Sequence, residues 1–248
     1  MTAGHEITGD RDDLPGRGAD RCPDDVDLHR VWLGVAAQAW RRRPGPAERL
    51  AGWALRSPGL ALALVTTPSL LLGWVIASAA VLAAGAAATL GTGTPFVALL
   101  APAVAAAGVA YAYGPGIDPA WELSQSLAIS FRMVLLVRVL AVFALNAALG
   151  LAASAASGAA AAVTFGWLVP MTAVAALALA VATLTRSANA GVAAGLAAWA
   201  ITVLSVHAAS GQLAVAVASS ALVPPYLAVA AGCGAIAWFA TRIPRGTS

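Results

Sequence analysis

Charged side chains are almost absent from the long middle of the chain. Between Ser57 and Thr241, Asp, Glu and Arg occur only as Asp118, Glu122, Arg132, Arg138 and Arg186. A soluble domain of this size would expose a large uncharged apolar surface and would aggregate. The pattern therefore predicts an all-α polytopic integral membrane protein.

Long apolar runs alternate with short polar or Gly/Pro-containing breaks, which predicts about six transmembrane helices. Each run is near the length needed to cross a hydrocarbon core of about 30 Å. The stretch Gln212 to Val223 is apolar but too short to cross comfortably, so it is predicted as a short re-entrant or interfacial helix at the outer face. The spans are predicted at about Thr67–Leu90, Thr94–Tyr113, Met133–Ala153, Val163–Leu184, Ala190–Val206 and Pro225–Thr241.

The polar N-terminal region precedes the first span and divides into two parts. Residues 1–27 are rich in acids, Arg, Gly and Pro and are predicted to be a disordered tail. Residues 28–66 are predicted to be a cytoplasmic and interfacial helical segment. Within it, Pro46–Arg56 can turn Leu50 and Trp53 to acyl chains while Arg49 reaches lipid headgroups.

The arginines indicate the orientation of the predicted transmembrane domain, residues 67–241. With the N-terminus inside, every Arg falls on the cytoplasmic side, and the 242–248 tail is also cytoplasmic. The chain has no Lys and is dominated by Ala, Gly, Val and Leu, a composition that looks like the codon bias of a GC-rich bacterial genome. The expected location is therefore the bacterial cytoplasmic membrane. This orientation also places the 118–131 segment, which starts with Asp118 as N-cap and Pro119 in the first turn, as a cytoplasmic helix between the second and third spans.

Composition excludes several classes of function. The chain is 60% hydrophobic and 10% charged, with a mean hydropathy of +0.82. Its arginines flank apolar spans instead of forming a basic stripe, so nucleic acid is not an expected partner. The chain has no GxSxG, HExxH or phosphate-binding GxxxxGK[ST] motif. It is therefore predicted not to be an enzyme, and no cofactor is expected.

Zinc is the one metal with candidate ligands near the N-terminus. His5, Cys22 and His29 lie in the polar head, but structural zinc sites use four ligands, commonly with closely spaced pairs. Three residues at irregular spacing do not meet that requirement. No metal site is predicted.

The sharpest polar cluster surrounds the predicted cytoplasmic helix. Its candidate residues for docking an ATPase are Asp118, Trp121, Glu122, Phe131, Arg132 and Arg138. The competing interpretation for Arg138 is structural: it reaches lipid headgroups or pairs with a carboxylate. Asn146 lies in the middle of a span and is predicted to pack by hydrogen bonding to another helix.

Three stretches resemble the membrane region of actinobacterial proteins associated with ABC-2-type transporters. They are Thr66–Trp74, Ala112–Glu122, and Arg132–Arg138 followed by Asn146. Arg43-Pro-Gly-Pro46 also resembles the linker that follows an anti-sigma-like zinc-finger head in some relatives. The HxxxCxxC ligand set of that head is missing from this chain.

The resemblance implies a permease subunit of an ABC-2-type exporter. In such exporters a cytoplasmic helix couples to a separate ABC ATPase subunit, and two permease chains form the pathway, here a homodimer in the lipid bilayer. The low polarity of the spans favours a hydrophobic or amphipathic cargo. The alternative function is a membrane-anchored, anti-sigma-like regulator that binds a cytoplasmic partner through its N-terminal region.

Overall fold

The computed structural model describes residues 27, 30, 31, 33, 45–56, 61, 72–113 and 131–241. Helices dominate these residues, and none of them forms a β-strand. The chain separates into two compact units, residues 1–44 and residues 45–248. This boundary falls inside the segment 28–66 that the sequence predicts as one region.

The described part of the second unit is built from α-helices. Their bounds are α1 Pro46–Leu55, α2 Leu72–Thr92, α3 Phe96–Ala112, α4 Phe131–Ala156, α5 Ala161–Gly166, α6 Leu168–Thr185, α7 Ala188–Ser210, α8 Val215–Ala218 and α9 Val223–Ala240. A 3₁₀ turn, Ser220–Leu222, joins α8 to α9.

Five helical segments of the described chain are long and apolar enough to cross a membrane. They are Gly73–Thr92, Arg132–Ala156, Val163–Thr185, Ala188–Ser210 and Ser220–Ala240. Helix α3 is apolar but has 17 residues, which at 1.5 Å per residue is about 25 Å, less than a hydrocarbon core of roughly 30 Å. The prediction of several spanning helices is thus confirmed in this coarser form. The predicted start of the first span, Thr67 and Pro68, lies outside the described residues.

Helix α1 has the exposed apolar side chains expected of a helix lying on a membrane surface. Pro46 occupies its first turn, and Arg56 ends it in the left-handed conformation. Trp53 is 83% exposed, and Leu50 is also exposed. These side chains are available to acyl chains because the protein does not cover them.

The long helices run in alternating directions, which brings Arg132 and Arg186 to one end of the bundle. The hydroxyl of Tyr111, near the end of α3, donates to Asn189 Oδ1 at the start of α7 at 3.3 Å. Arg132, at the start of α4, donates from Nε to the carbonyl of Thr241, just after α9, at 3.0 Å. Arg186 follows the last residue of α6. We call this side of the bundle the arginine end.

Short elements close the opposite end. The Phe96 N–H donates to Thr89 Oγ1 at 3.1 Å across the tight turn between α2 and α3. Helix α8 lies against α5, where a Cβ on Gly166 would come within 2.8 Å of the Val217 carbonyl oxygen. The Tyr226 hydroxyl then donates to the Ala216 carbonyl at 3.0 Å, fastening α9 to α8.

One predicted element differs from the structure at this end. The expected single helix 212–223 is instead the four-residue α8 and a 3₁₀ turn, separated by Ser219 in an extended conformation. The expected span Val163–Leu184 coincides with the spanning-capable segment Val163–Thr185, in which a one-residue turn at Trp167 separates α5 from α6. The extended backbone at Ser219 is a local feature that apolar periodicity does not record.

The core is built mainly from small side chains on α3 and α6. Trp167 is an exception: it is fully buried, and its ring lies where a Cβ on Gly150 would come within 2.6 Å of Cη2. Pro102 is also buried, as expected for a proline packed against neighbouring helices. Leu99 lies in the same turn of α3 as Pro102. Its carbonyl accepts a hydrogen bond from the Trp199 indole at 2.7 Å, which ties α7 to α3.

Candidate functional site

Three of the predicted ATPase-docking residues, Asp118, Trp121 and Glu122, lie outside the described residues. Phe131 is the first residue of α4, and its side chain is also outside the description. Arg132 and Arg138 are described, and they occupy different environments although they lie on the same helix. The structure therefore tests the placement of these two arginines.

Arg138 lies inside the bundle. Its side chain is only 2% exposed, in contrast to the headgroup-reaching position that the sequence allowed. A separate protein cannot contact a side chain that the surrounding helices of this bundle cover. This burial argues against Arg138 as a direct docking residue and favours a structural role, because a buried cation needs stabilising neighbours.

Arg132 lies six residues earlier, at the surface of the arginine end. Besides its hydrogen bond to the Thr241 carbonyl, its guanidinium carbon is 5.6 Å from the centre of a Trp238 ring. Arginine over an indole is a favourable cation–π arrangement. The residue thus joins the start of α4 to the end of α9 and is accessible from outside.

Asn146 is buried where α2, α3 and α4 meet. Its Nδ2 donates to the Val142 carbonyl of its own helix at 2.8 Å, whereas its Oδ1 is buried with no hydrogen-bond partner in the described chain. The predicted hydrogen bond to another helix is therefore not seen. Contact with a neighbouring helix comes from Gly108, where an added Cβ would be 3.2 Å from Asn146 Nδ2.

Trp74 brings a second polar group to the same place. Its Nε1 would be 3.4 Å from the same Cβ on Gly108 and, like Asn146 Oδ1, is buried without a partner in the described chain. Its ring packs edge-on against Tyr111, with ring centres 5.4 Å apart. A hydroxyl group both accepts and donates hydrogen bonds, so an indole N–H and an amide oxygen are chemically suited to bind one.

An apolar cavity of about 240 Å³ adjoins Trp74. Helices α2 and α3 form most of its wall, and α7 contributes Leu196. Ser78 is the one hydroxyl-bearing residue of the lining. The cavity therefore suits an aliphatic group better than an ion.

Sequence reasoning did not single out Trp74 and Gly108 as partners of Asn146. The available signal was weak: one Trp and one Gly in long runs rich in Ala, Val and Leu. Only the crossing of three helices brings them together. The sequence did point to Asn146 as a buried polar residue, because an amide in the middle of an apolar span is uncommon.

The described chain contains no group of three or more His, Cys, Asp or Glu that could hold a metal ion. The weighed zinc ligands His5, Cys22 and His29 lie outside the described residues.

No family model, curated protein or solved structure matches this chain. The function is therefore argued from the residues and their arrangement.

Proposed function

We propose that the protein is the membrane permease subunit of an ABC-2-type exporter that works with a separate cytoplasmic ATPase. The observation that carries this proposal is the apolar cavity among α2, α3 and α7, next to the buried donor of Trp74. A cavity of this composition suits an amphipathic cargo with an aliphatic body and a hydroxyl or amide group.

The direction of the helices supports the proposed topology. If α3 crosses together with the five longer segments, six spans bring both ends of the transmembrane domain to the arginine end. The bias of Arg toward the cytoplasm then makes this end cytoplasmic. Segment 114–130, between α3 and α4, would face the ATPase, and the short α8 would lie at the outer face.

The mechanism is alternating access. Nucleotide-driven closure of the ATPase pair would push on the 118–131 segment and tilt α4, whose first turn is fastened to the end of α9 through Arg132. Two permease chains would enclose the pathway. Of these two arginines, Arg132 is the better candidate for coupling, because it is accessible at the end of the bundle whereas Arg138 is buried.

The partner is tested by purifying the tagged full chain from its native host in mild detergent and assaying ATP hydrolysis. We expect an ABC ATPase, identified by mass spectrometry, and its loss in an Asp118→Ala, Glu122→Ala double variant that still purifies as a folded helical protein. Recovery of a sigma factor that disappears when residues 1–40 are deleted would instead support the regulator.

The cavity is tested by filling it. Ala77 is exposed and lines the cavity, whereas Ala80 is exposed on the same helix outside the lining. We expect Ala77→Phe to abolish stimulation of ATP hydrolysis by amphipathic compounds while the ATPase still copurifies. The control Ala80→Phe should behave as wild type, and equal stimulation in both variants would exclude this cavity as the cargo site.

A further inference from the structure

A second cavity opens at the arginine end, between α4, α6 and α9. Its volume is about 140 Å³. Most of its wall is aliphatic and comes from Leu135, Leu136, Val139, Ala176, Leu179 and Ala237. Arg132, Trp238 and Thr241 also line it, so an apolar groove and a cation occur in one place. We call it the Arg132 groove.

Among the described residues, one hydrogen bond holds the cation of this groove in position. A guanidinium has five N–H donors, and the bond from Nε to the Thr241 carbonyl uses one of them. Trp238 is an exposed residue at the end of a helix long enough to span, where tryptophan is common at the boundary between acyl chains and headgroups. Arginine and tryptophan together suit a phosphate above an acyl chain.

Charge complementarity indicates the occupant. Residues 72–113 and 131–241 contain three arginines and no Asp or Glu. Anions for this end must therefore come from outside this part of the chain. In a membrane, the abundant anion at headgroup depth is the phosphate of an anionic phospholipid, which attracts basic residues near the surface.

We propose that the Arg132 groove binds one anionic phospholipid, with its phosphodiester on Arg132 beside Trp238 and part of one acyl chain between α4, α6 and α9. This site is separate from the cavity beside Trp74 and does not depend on the permease function. It would fasten α4 to α9 at the arginine end by adding a lipid bridge to the protein hydrogen bond.

Gly234 supplies a precise way to test the groove. It lines the groove, and a Cβ built on it meets no atom within 4 Å. A leucine there would occupy the proposed acyl position without a clash at its Cβ. Gly232 is a matched control, because its Cβ also meets nothing and it lies on the same helix outside the groove lining.

The experiment is native mass spectrometry of the purified full chain with equal amounts of phosphatidylglycerol and phosphatidylcholine. We expect wild type to retain one phosphatidylglycerol per chain with about a tenfold preference, equivalent to about 1.4 kcal/mol. Arg132→Gln should remove the preference, and Gly234→Leu should reduce retention of both lipids about tenfold. Gly232→Leu and Arg186→Gln should match wild type.

The proposal is overturned by equal retention of the two lipids in wild type, by unchanged retention in Gly234→Leu, or by an equal loss of preference in Arg186→Gln. If Arg132→Gln does not fold, lipid retention by Arg132→Lys and by Gly234→Leu still tests the proposal. Displacement of the lipid by millimolar inorganic phosphate would show a phosphate site without acyl recognition, which also contradicts the proposal.

Discussion

Helices α7 and α9 each carry a pair of glycines, and the surroundings of the two pairs differ completely. In α7, a Cβ on Gly191 would lie 2.5 Å from the Ala178 carbonyl oxygen, and one on Gly195 would lie 3.1 Å from the Ala178 Cβ. In α9, Cβ atoms on Gly232 and Gly234 would meet nothing within 4 Å. The first pair is a helix contact and the second pair is open surface.

The difference shows how this bundle is held together. Between helices in a membrane, association depends on close packing and hydrogen bonds, because lipid tails are as apolar as the side chains. Gly191 and Gly195 let α7 approach α6 and α3 closely, which gains dispersion contacts. The open glycines of α9 contribute no such contact, and they leave its surface available to lipid.

Replacing Gly191 by alanine should give the largest effect. The added Cβ meets a backbone oxygen, which cannot move away by rotating a side chain, so α6 and α7 must separate. We expect a loss of about 1–3 kcal/mol in the free energy of unfolding, measured by unfolding in mixed micelles with helicity followed by circular dichroism. An unchanged transition would mean that α7 does not approach α6 this closely.

Gly150→Ala should have the next largest effect. Its Cβ would meet the ring of the fully buried Trp167 at 2.6 Å, and a side chain can relax slightly where a backbone cannot. We expect a loss of about 1–2 kcal/mol and a change in Trp fluorescence. The double variant Gly150→Ala, Trp167→Phe should recover part of the loss, and failure to recover would place the strain elsewhere.

Trp199→Phe should cost less, about 1 kcal/mol, because it removes the single hydrogen bond from α7 to the Leu99 carbonyl. The matched variant is Trp74→Phe, whose indole N–H is buried without a partner in the described chain. Removing that N–H should cost less than removing the one on Trp199. Equal losses of stability would show that the bond to Leu99 contributes nothing specific.

Gly232→Ala should produce the smallest effect and the opposite sign. An alanine in a helix is favoured over glycine by up to about 1 kcal/mol, and nothing obstructs its Cβ. We expect a slightly higher unfolding midpoint in the same assay. A clear loss of stability would reveal a partner against this face of α9, such as a second copy of the chain.

The sequence predicted the helix content and the approximate positions of the apolar helices because hydrophobic length is a local property. It did not predict the extended backbone at Ser219 that separates α8 from the following 3₁₀ turn. For Asn146 it predicted burial correctly but expected a bond to another helix. The structure shows a bond to Val142 of the same helix instead.

The two arginines of α4 illustrate the same limit. Arg132 and Arg138 are both flanked by apolar residues, so the sequence alone assigned them to one cluster. The structure buries Arg138 and leaves Arg132 accessible. Six residues on a helix turn through about 600°, which places the two side chains on different faces, and only the neighbouring helices determine which face is covered.

By itself, the sequence determined that this chain is helical and suited to a membrane, because the scarcity of charge and the lengths of the apolar runs depend on no distant contact. The tertiary structure decided which small residues are contacts, which arginine is accessible and where Trp74, Gly108 and Asn146 meet. In a chain so rich in alanine and glycine, neighbouring segments look alike. Their roles differ only through the helices that pack against them.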